Sequence, residues 1–202
     1  ILSGDAMFAC AFKYLLQCDK EVIPQLTETL TRGAIEVCEG QGFDMDFENR
    51  QTVSTDEYLQ MIKLKTGVLL STALQLGAIT AKADEKTLNL LDTFGKYIGI
   101  AFQIKDDMLD CWSDLDTFGK VCGADIIDRK KTFLYITALE SATQTQRQEL
   151  LSLYENTTLD KDEKIQKVRA IYEQLSVAQK AQKAVEEYNS KAFEALEQIE
   201  VA

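Results

Sequence analysis

The chain has no histidine among its 202 residues. That absence removes Ser-His-Asp and Cys-His catalysis, and every metal site that depends on an imidazole. Proline occurs once, at Pro24, and glycine ten times, so little interrupts a long helix. Basic residues are in deficit: 22 Lys and Arg stand against 33 Asp and Glu, a formal net charge of -11. Such a balance argues against a nucleic-acid surface. It leaves room for an anionic small substrate, because metal ions and a few placed lysines reverse the field locally. No apolar run reaches the roughly 20 residues of a membrane span, and no signal-peptide pattern is visible. The cysteines (Cys10, Cys18, Cys38, Cys111 and Cys122) are odd in number and lack C-x-x-C spacing. They read as buried free thiols in a reducing compartment, and the expected location is the cytoplasm.

What is present is helical. Residues 1–18 are apolar and small in helical period, with Ser3 or Asp5 as a cap, and read as a core helix or a contact face. Pro24 sits where a second helix starts, running over 25–39. Glu39-Gly40-Gln41-Gly42-Phe43-Asp44-Met45-Asp46 then reads, standing alone, as a helix end with surface carboxylates, with Gln41 and Asp44 three apart. Thr55 followed by Asp56 and Glu57 opens a helix over 55–79. Its apolar pattern is interrupted by Lys65-Thr66-Gly67. A lysine near a buried face needs an anion, or snorkels from the rim of the core. A further helix is expected over 84–112. Residues 113–125 form a loop containing Gly119, Lys120 and Gly123, and a mixed Asp/Lys stretch from Asp125 to Thr132 opens the next helix. Residues 133–141, 144–155, 160–174 and 176–198 complete an all-α pattern, with Ile165, Val168, Ile171 and Tyr172 on one stripe. No alternating strand-like run occurs. The reading is one all-α domain over residues 1–202.

Within that pattern one stretch stands out: Phe102-Gln103-Ile104-Lys105-Asp106-Asp107-Met108-Leu109-Asp110. On a helix Asp106 and Asp110 share a face, and Gln103 lies one turn before Asp106. Like charges at this spacing repel, and carboxylates late in a helix oppose its dipole. Alone, the string also fits a solvated acidic face. Three acidic clusters (Asp44/Asp46, Asp106/Asp107/Asp110 and Asp125) alternate with Lys65, Lys120 and Lys130. Carboxylates suit hard cations, and magnesium is usually held by one or two carboxylates plus substrate phosphates. Lysines supply point charges to the same phosphates. The combination has the logic of a diphosphate clamp.

F-Q-I-K-D-D-M-L-D followed by G-K and then G-A-D resembles the second aspartate-rich motif of the trans-isoprenyl diphosphate synthases. The K-T-G of residues 65–67, the G-Q-G-F-D of 40–44 and the Gly4-Asp5 helix start are similar to other motifs of that family, in order. The resemblance covers residues 1 to about 140. It implies a helical bundle of the isoprenoid-synthase type with a central active-site cavity. It further implies Mg²⁺, three ions with bound diphosphate, held by Asp106, Asp107, Asp110, Asp44 and Asp125. Lys65, Lys120 and Lys130 fall on the diphosphate lysines, and Gln41 falls among the substrate-binding residues. Gln103 and Thr66 fall where oxygens face a developing allylic cation. The implied reaction joins isopentenyl diphosphate to an allylic diphosphate, in a homodimer. The family's first aspartate-rich motif, the upstream basic residues and the final basic segment are not in these 202 residues. The chain is therefore expected to be a piece of a longer synthase, inactive by itself. A non-catalytic subunit of a heteromeric prenyl synthase and a terpene-cyclase-like diphosphate binder are the alternatives. K-T-G and G-K…G-A-D fit the chain-elongating group better. A plain helical scaffold with an acidic surface would bind no bisphosphonate through Mg²⁺.

Overall fold

The computed structural model describes residues 1–113 and 122–200, and every regular element among them is a helix. The elements are α1 (Leu2–Leu15), α2 (Ile23–Asn49), α3 (Thr55–Ile62), a wide π turn (Lys63–Gly67), α4 (Val68–Thr80) and α5 (Glu85–Trp112). A short α6 (Ala124–Ile127) follows, then α7 (Phe133–Ser141), α8 (Gln144–Glu155), α9 (Lys161–Gln174) and α10 (Val177–Leu196).

Side-chain caps set several of the starts. Ser54 accepts from the backbone N–H of Glu57 while the Glu57 carboxylate accepts from the backbone N–H of Ser54, so both orphan donors at the head of α3 are satisfied. The cap is thus one residue before Thr55, which instead donates its hydroxyl to Glu140 on α7 at 2.9 Å. Asp84 caps α5, Thr143 with Gln146 caps α8, and Asp160 caps α9. Neither Ser3 nor Asp5 caps α1, which has no side-chain cap.

α5 is the spine, packed along α4 on one side and α10 on the other. Ile100, Ala101 and Ile104 of α5 meet Tyr58, Met61 and Ile62 of α3 and the wholly buried run Phe133–Leu139 of α7 in one core. Ile165, Val168, Ile171 and Tyr172 of α9 close that core from below.

Two expectations fail here for identifiable reasons. α2 does not end near residue 39 but continues to Asn49. Gly33 and Gly40 are buried contact points on its inner stripe, with Leu26, Thr29 and Phe47. A Cβ on Gly40 would fall on the backbone N of Lys65, so this glycine is kept for closeness, not for a turn. α1 is no core helix: none of its residues is buried, and Leu2, Met7, Phe8 and Tyr14 lie open. Among the described residues it packs chiefly at the head of α2, with Leu15 against the small cluster of Val22, Leu26 and Ile79. The cysteines also depart from expectation, since only Cys111 is buried, while Cys10 and Cys38 are exposed.

Gly99 of α5 crosses Gly67 so closely that a Cβ there would meet the Gly67 Cα. Gly99→Ala is therefore expected to destabilise by about 1–3 kcal/mol through overpacking. Gly77→Ala has no atom within 4 Å of the new Cβ, and should gain roughly 0.5–1 kcal/mol from helix propensity. Urea unfolding of both variants checks the opposite signs.

Candidate diphosphate and metal site

A cavity of about 1240 Å³ opens between the C-terminal half of α2, α3, the end of α5 and the segment from Cys122 to Tyr135. Its walls carry Asp44, Lys65, Gln103, Asp106, Asp107, Asp110, Asp125 and Lys130. Residues remote in sequence thus face one space.

Lys65 reaches the wall through the π turn. The Val68 N–H bonds to Lys63 O, five residues back, which widens the helix by one residue. Lys65 Nζ then meets Asp44 Oδ2 at 2.6 Å, supplying the anion its position requires. Thr66, the next residue, donates its hydroxyl to Gln103 Oε1 at 3.1 Å. Gln103 Nε2 in turn faces Asp106 Oδ2 and Asp107 Oδ1, each at 3.4 Å.

The carboxylates of α5 have separate surroundings. Asp106 is exposed to the cavity and its only described partner is the long contact to Gln103. Asp107 is 4% exposed. Its Oδ2 accepts from the Tyr58 hydroxyl at 2.5 Å and from the Phe133 N–H at 3.0 Å. Burial raises its pKa to about 7, against the opposing pull of those hydrogen bonds. Burial also raises Asp110, whose Oδ2 accepts from the Asp125 N–H at 3.0 Å. Asp125 pairs with Lys130 at 2.7 Å, and that hydrogen bond holds the lysine above its ordinary range.

Two features of the structure bear on the expected metal set. Asp44, Asp106, Asp107, Asp110 and Asp125 line one cavity, but no three acidic or cysteine side chains among the described residues converge into a ready-made ion cage. And Asp107, expected as a ligand, is turned into the core by Tyr58 and Phe133. The donor set that remains is hard oxygen with an open side. That fits Mg²⁺, which keeps water or substrate phosphate in its shell in preference to an all-protein cage. Gln41 is exposed on α2, one turn before Asp44, and does not line the cavity. Lys120 lies outside the described residues.

Sequence reasoning passed over Tyr58 and Lys131. Tyr58 carries no motif signal, since only the fold brings α3 against Asp107. Lys131 Nζ donates to Phe47 O at 2.7 Å and to Glu48 O at 3.4 Å, capping the end of α2. Burial lowers its pKa.

The fold and cavity define a class, an all-α bundle whose carboxylates and lysines line one space. Comparison places the chain within that class. The polyprenyl synthetase family model matches residues 1–175, and the chain belongs to this family. It is 38% identical over 154 residues to a short chain isoprenyl diphosphate synthase of Methanothermobacter thermautotrophicus, covering 76% of this chain and 47% of that protein. It is 34% identical over 206 residues to a geranylgeranyl diphosphate synthase of Saccharolobus solfataricus, covering 100% of this chain and 61% of the relative. A geranylgeranyl pyrophosphate synthase crystal structure superposes with TM-score 0.94 at 42% identity, over 100% of this chain and 62% of that one. A polyprenyl synthetase structure from Streptomyces coelicolor gives TM-score 0.92 at 30% identity, over 100% of this chain and 61% of that one. The chain thus spans about half to three fifths of the length of these relatives. Among the described residues no helix is long and apolar enough to cross a membrane.

Lys131→Met removes the α2 cap and should cost about 1 kcal/mol, a fall of about 2–4 °C in melting temperature. Thermal denaturation followed by circular dichroism reads it.

Proposed function

We propose that the protein is a Mg²⁺-dependent prenyltransferase that joins isopentenyl diphosphate to an allylic diphosphate, giving a longer isoprenyl diphosphate of farnesyl or geranylgeranyl length. The observation that carries this reading is the cavity itself: among the described residues Asp106 faces it with only the long Gln103 contact, while Lys65 and Lys130 line the same space. The comparisons support the same activity through the names of the relatives.

Magnesium ions, three with bound diphosphate, would be held by Asp106, with Asp44, Asp110 and Asp125 in reach through ligation or water, and would neutralise charge on the departing diphosphate. Lys65 exchanges its Asp44 partner for a diphosphate oxygen, which frees Asp44 at the same moment. Lys130 can do likewise from Asp125, and Lys120 is proposed to add a third positive charge. Removal of the allylic diphosphate is then favoured by donors already in place, in a cavity where they need little reorganisation. Thr66 and Gln103 present oxygens toward the allylic carbon that becomes cationic. The double bond of isopentenyl diphosphate attacks that carbon and leaves a tertiary cation, and a proton lost from the adjacent carbon to the released diphosphate forms the new double bond. Phe47, Met61 and Ile62 line the cavity with hydrocarbon and help keep water from the cation.

The reading extends to a homodimer, with the open stripe of α1 as the contact face, to a cytoplasmic location and to residues 1–202 acting as one domain. The test supplies the complete gene product carrying this chain with Mg²⁺, labelled isopentenyl diphosphate and allylic diphosphates of five, ten or fifteen carbons. Incorporation is expected, and Asp106→Ala should reduce kcat by about 10²–10³. No incorporation with any primer would overturn the proposal.

A further inference from the structure

Asp106 and Asp107 are neighbours in sequence, yet successive residues of a helix point about 100° apart. Both border the cavity, but Asp106 is exposed there while Asp107 is 4% exposed and bonded into the core. Both oxygens of Asp107 are engaged: Oδ2 by Tyr58 and by the Phe133 N–H, Oδ1 by Gln103 at 3.4 Å. A carboxylate so placed joins three elements, α3 through Tyr58, α5 through itself and α7 through Phe133. It also reaches the cavity, because the same Gln103 amide nitrogen faces Asp106 at 3.4 Å and its oxygen accepts from Thr66 at 3.1 Å. The buried Tyr58 hydroxyl is therefore three links from Asp106 and three from Thr66, although it touches neither.

Tyr58 has no motif role and no partner other than Asp107 among the described side chains. A buried hydroxyl must be hydrogen-bonded, but any acceptor would meet that need. The use made of it here is to hold Asp107 turned inward against the repulsion of Asp106 and Asp110 on the same helix end. Without it, only the Phe133 N–H and the long Gln103 contact would hold the carboxylate, which could then swing toward the cavity. Outer-layer partners of this kind orient the groups that touch an ion.

We propose that Tyr58 is a positioning residue: it pins Asp107 as an inward-facing hub that orients Gln103 and Asp106, and Asp107 is not itself an ion ligand. This rests on the reading of the cavity as a diphosphate site.

The test compares Tyr58→Phe, Asp107→Asn and Asp106→Asn in the complete gene product. Three quantities are read. The first is the Mg²⁺ dependence of methylenediphosphonate binding by calorimetry. The second is kcat and KM for isopentenyl diphosphate incorporation. The third is hydrogen exchange at the Phe133 amide, with circular dichroism confirming folding. Asp106→Asn is expected to weaken the Mg²⁺ dependence by more than about tenfold. Asp107→Asn should stay within about threefold, because its amide oxygen still accepts from Tyr58 and Phe133. Tyr58→Phe should lower kcat by about 10- to 100-fold, with KM little changed and the Phe133 amide exchanging faster. If Asp107→Asn weakens the Mg²⁺ dependence as much as Asp106→Asn, or if Tyr58→Phe leaves kcat unaltered, the inference is overturned and the functional reading stands. If the unmodified protein binds no methylenediphosphonate at any Mg²⁺ concentration, both are overturned together.

Discussion

Two glycines that give up their side chains hold the cavity in shape. Gly40 of α2 and Gly99 of α5 both press against the π turn, where a Cβ on either would collide with backbone at Lys65 or Gly67. Only at that distance can one wide turn serve two helices at once, sending Lys65 to Asp44 on α2 and Thr66 to Gln103 on α5. Widening the helix by one residue costs regular hydrogen bonding, and such turns recur at functional sites for the reason visible here. The lysine and the threonine are adjacent in sequence but must act on different neighbours. Close packing makes that arrangement rigid, since interiors do not yield to an added methyl without strain.

Charge is the second constraint. Several carboxylates crowd one cavity in a chain of net charge -11. The fold manages this by giving each acid a separate counterweight. Lys65 takes Asp44, Lys130 takes Asp125, the Asp125 N–H takes Asp110, and burial among hydrogen bonds takes Asp107. Among the described residues Asp106 is left with the long Gln103 contact alone. Such a group in a shared acidic space is where an external cation gains most, and under the proposed function the lysine pairs exchange a carboxylate for a phosphate oxygen.

Much of this was legible in the sequence. The helical stretches over 55–79 (broken in the structure by the π turn), 84–112 and 133–141 follow from cap residues and apolar period, and the Asp106 string and Lys65 were marked by charge placed inside apolar runs. Where reading failed, the cause lay in contacts that period does not encode. Gly40 and Gly42 look like breakers until α2 is seen to need Gly40 for its approach to Lys65. The apolar stripe of α1 looks like core because hydrophobic pattern says that a face is covered, and not by what. Asp107 looks equivalent to Asp106 because spacing cannot tell a carboxylate aimed at solvent from one aimed at a tyrosine 49 residues earlier. Gln41 was assigned by motif, and although it lies one turn from Asp44 it does not line the cavity.

The central claim is that the cavity holds a diphosphate through divalent ions centred on Asp106. Its most direct test is a crystal structure of this protein grown with Mn²⁺, as an anomalous scatterer in place of Mg²⁺, and methylenediphosphonate. The account predicts an anomalous peak at about 2.1 Å from an Asp106 oxygen, with Lys65 moved from Asp44 to the ligand. Ligand bound away from Asp106, or Mn²⁺ absent from the cavity while the ligand is present, would contradict it.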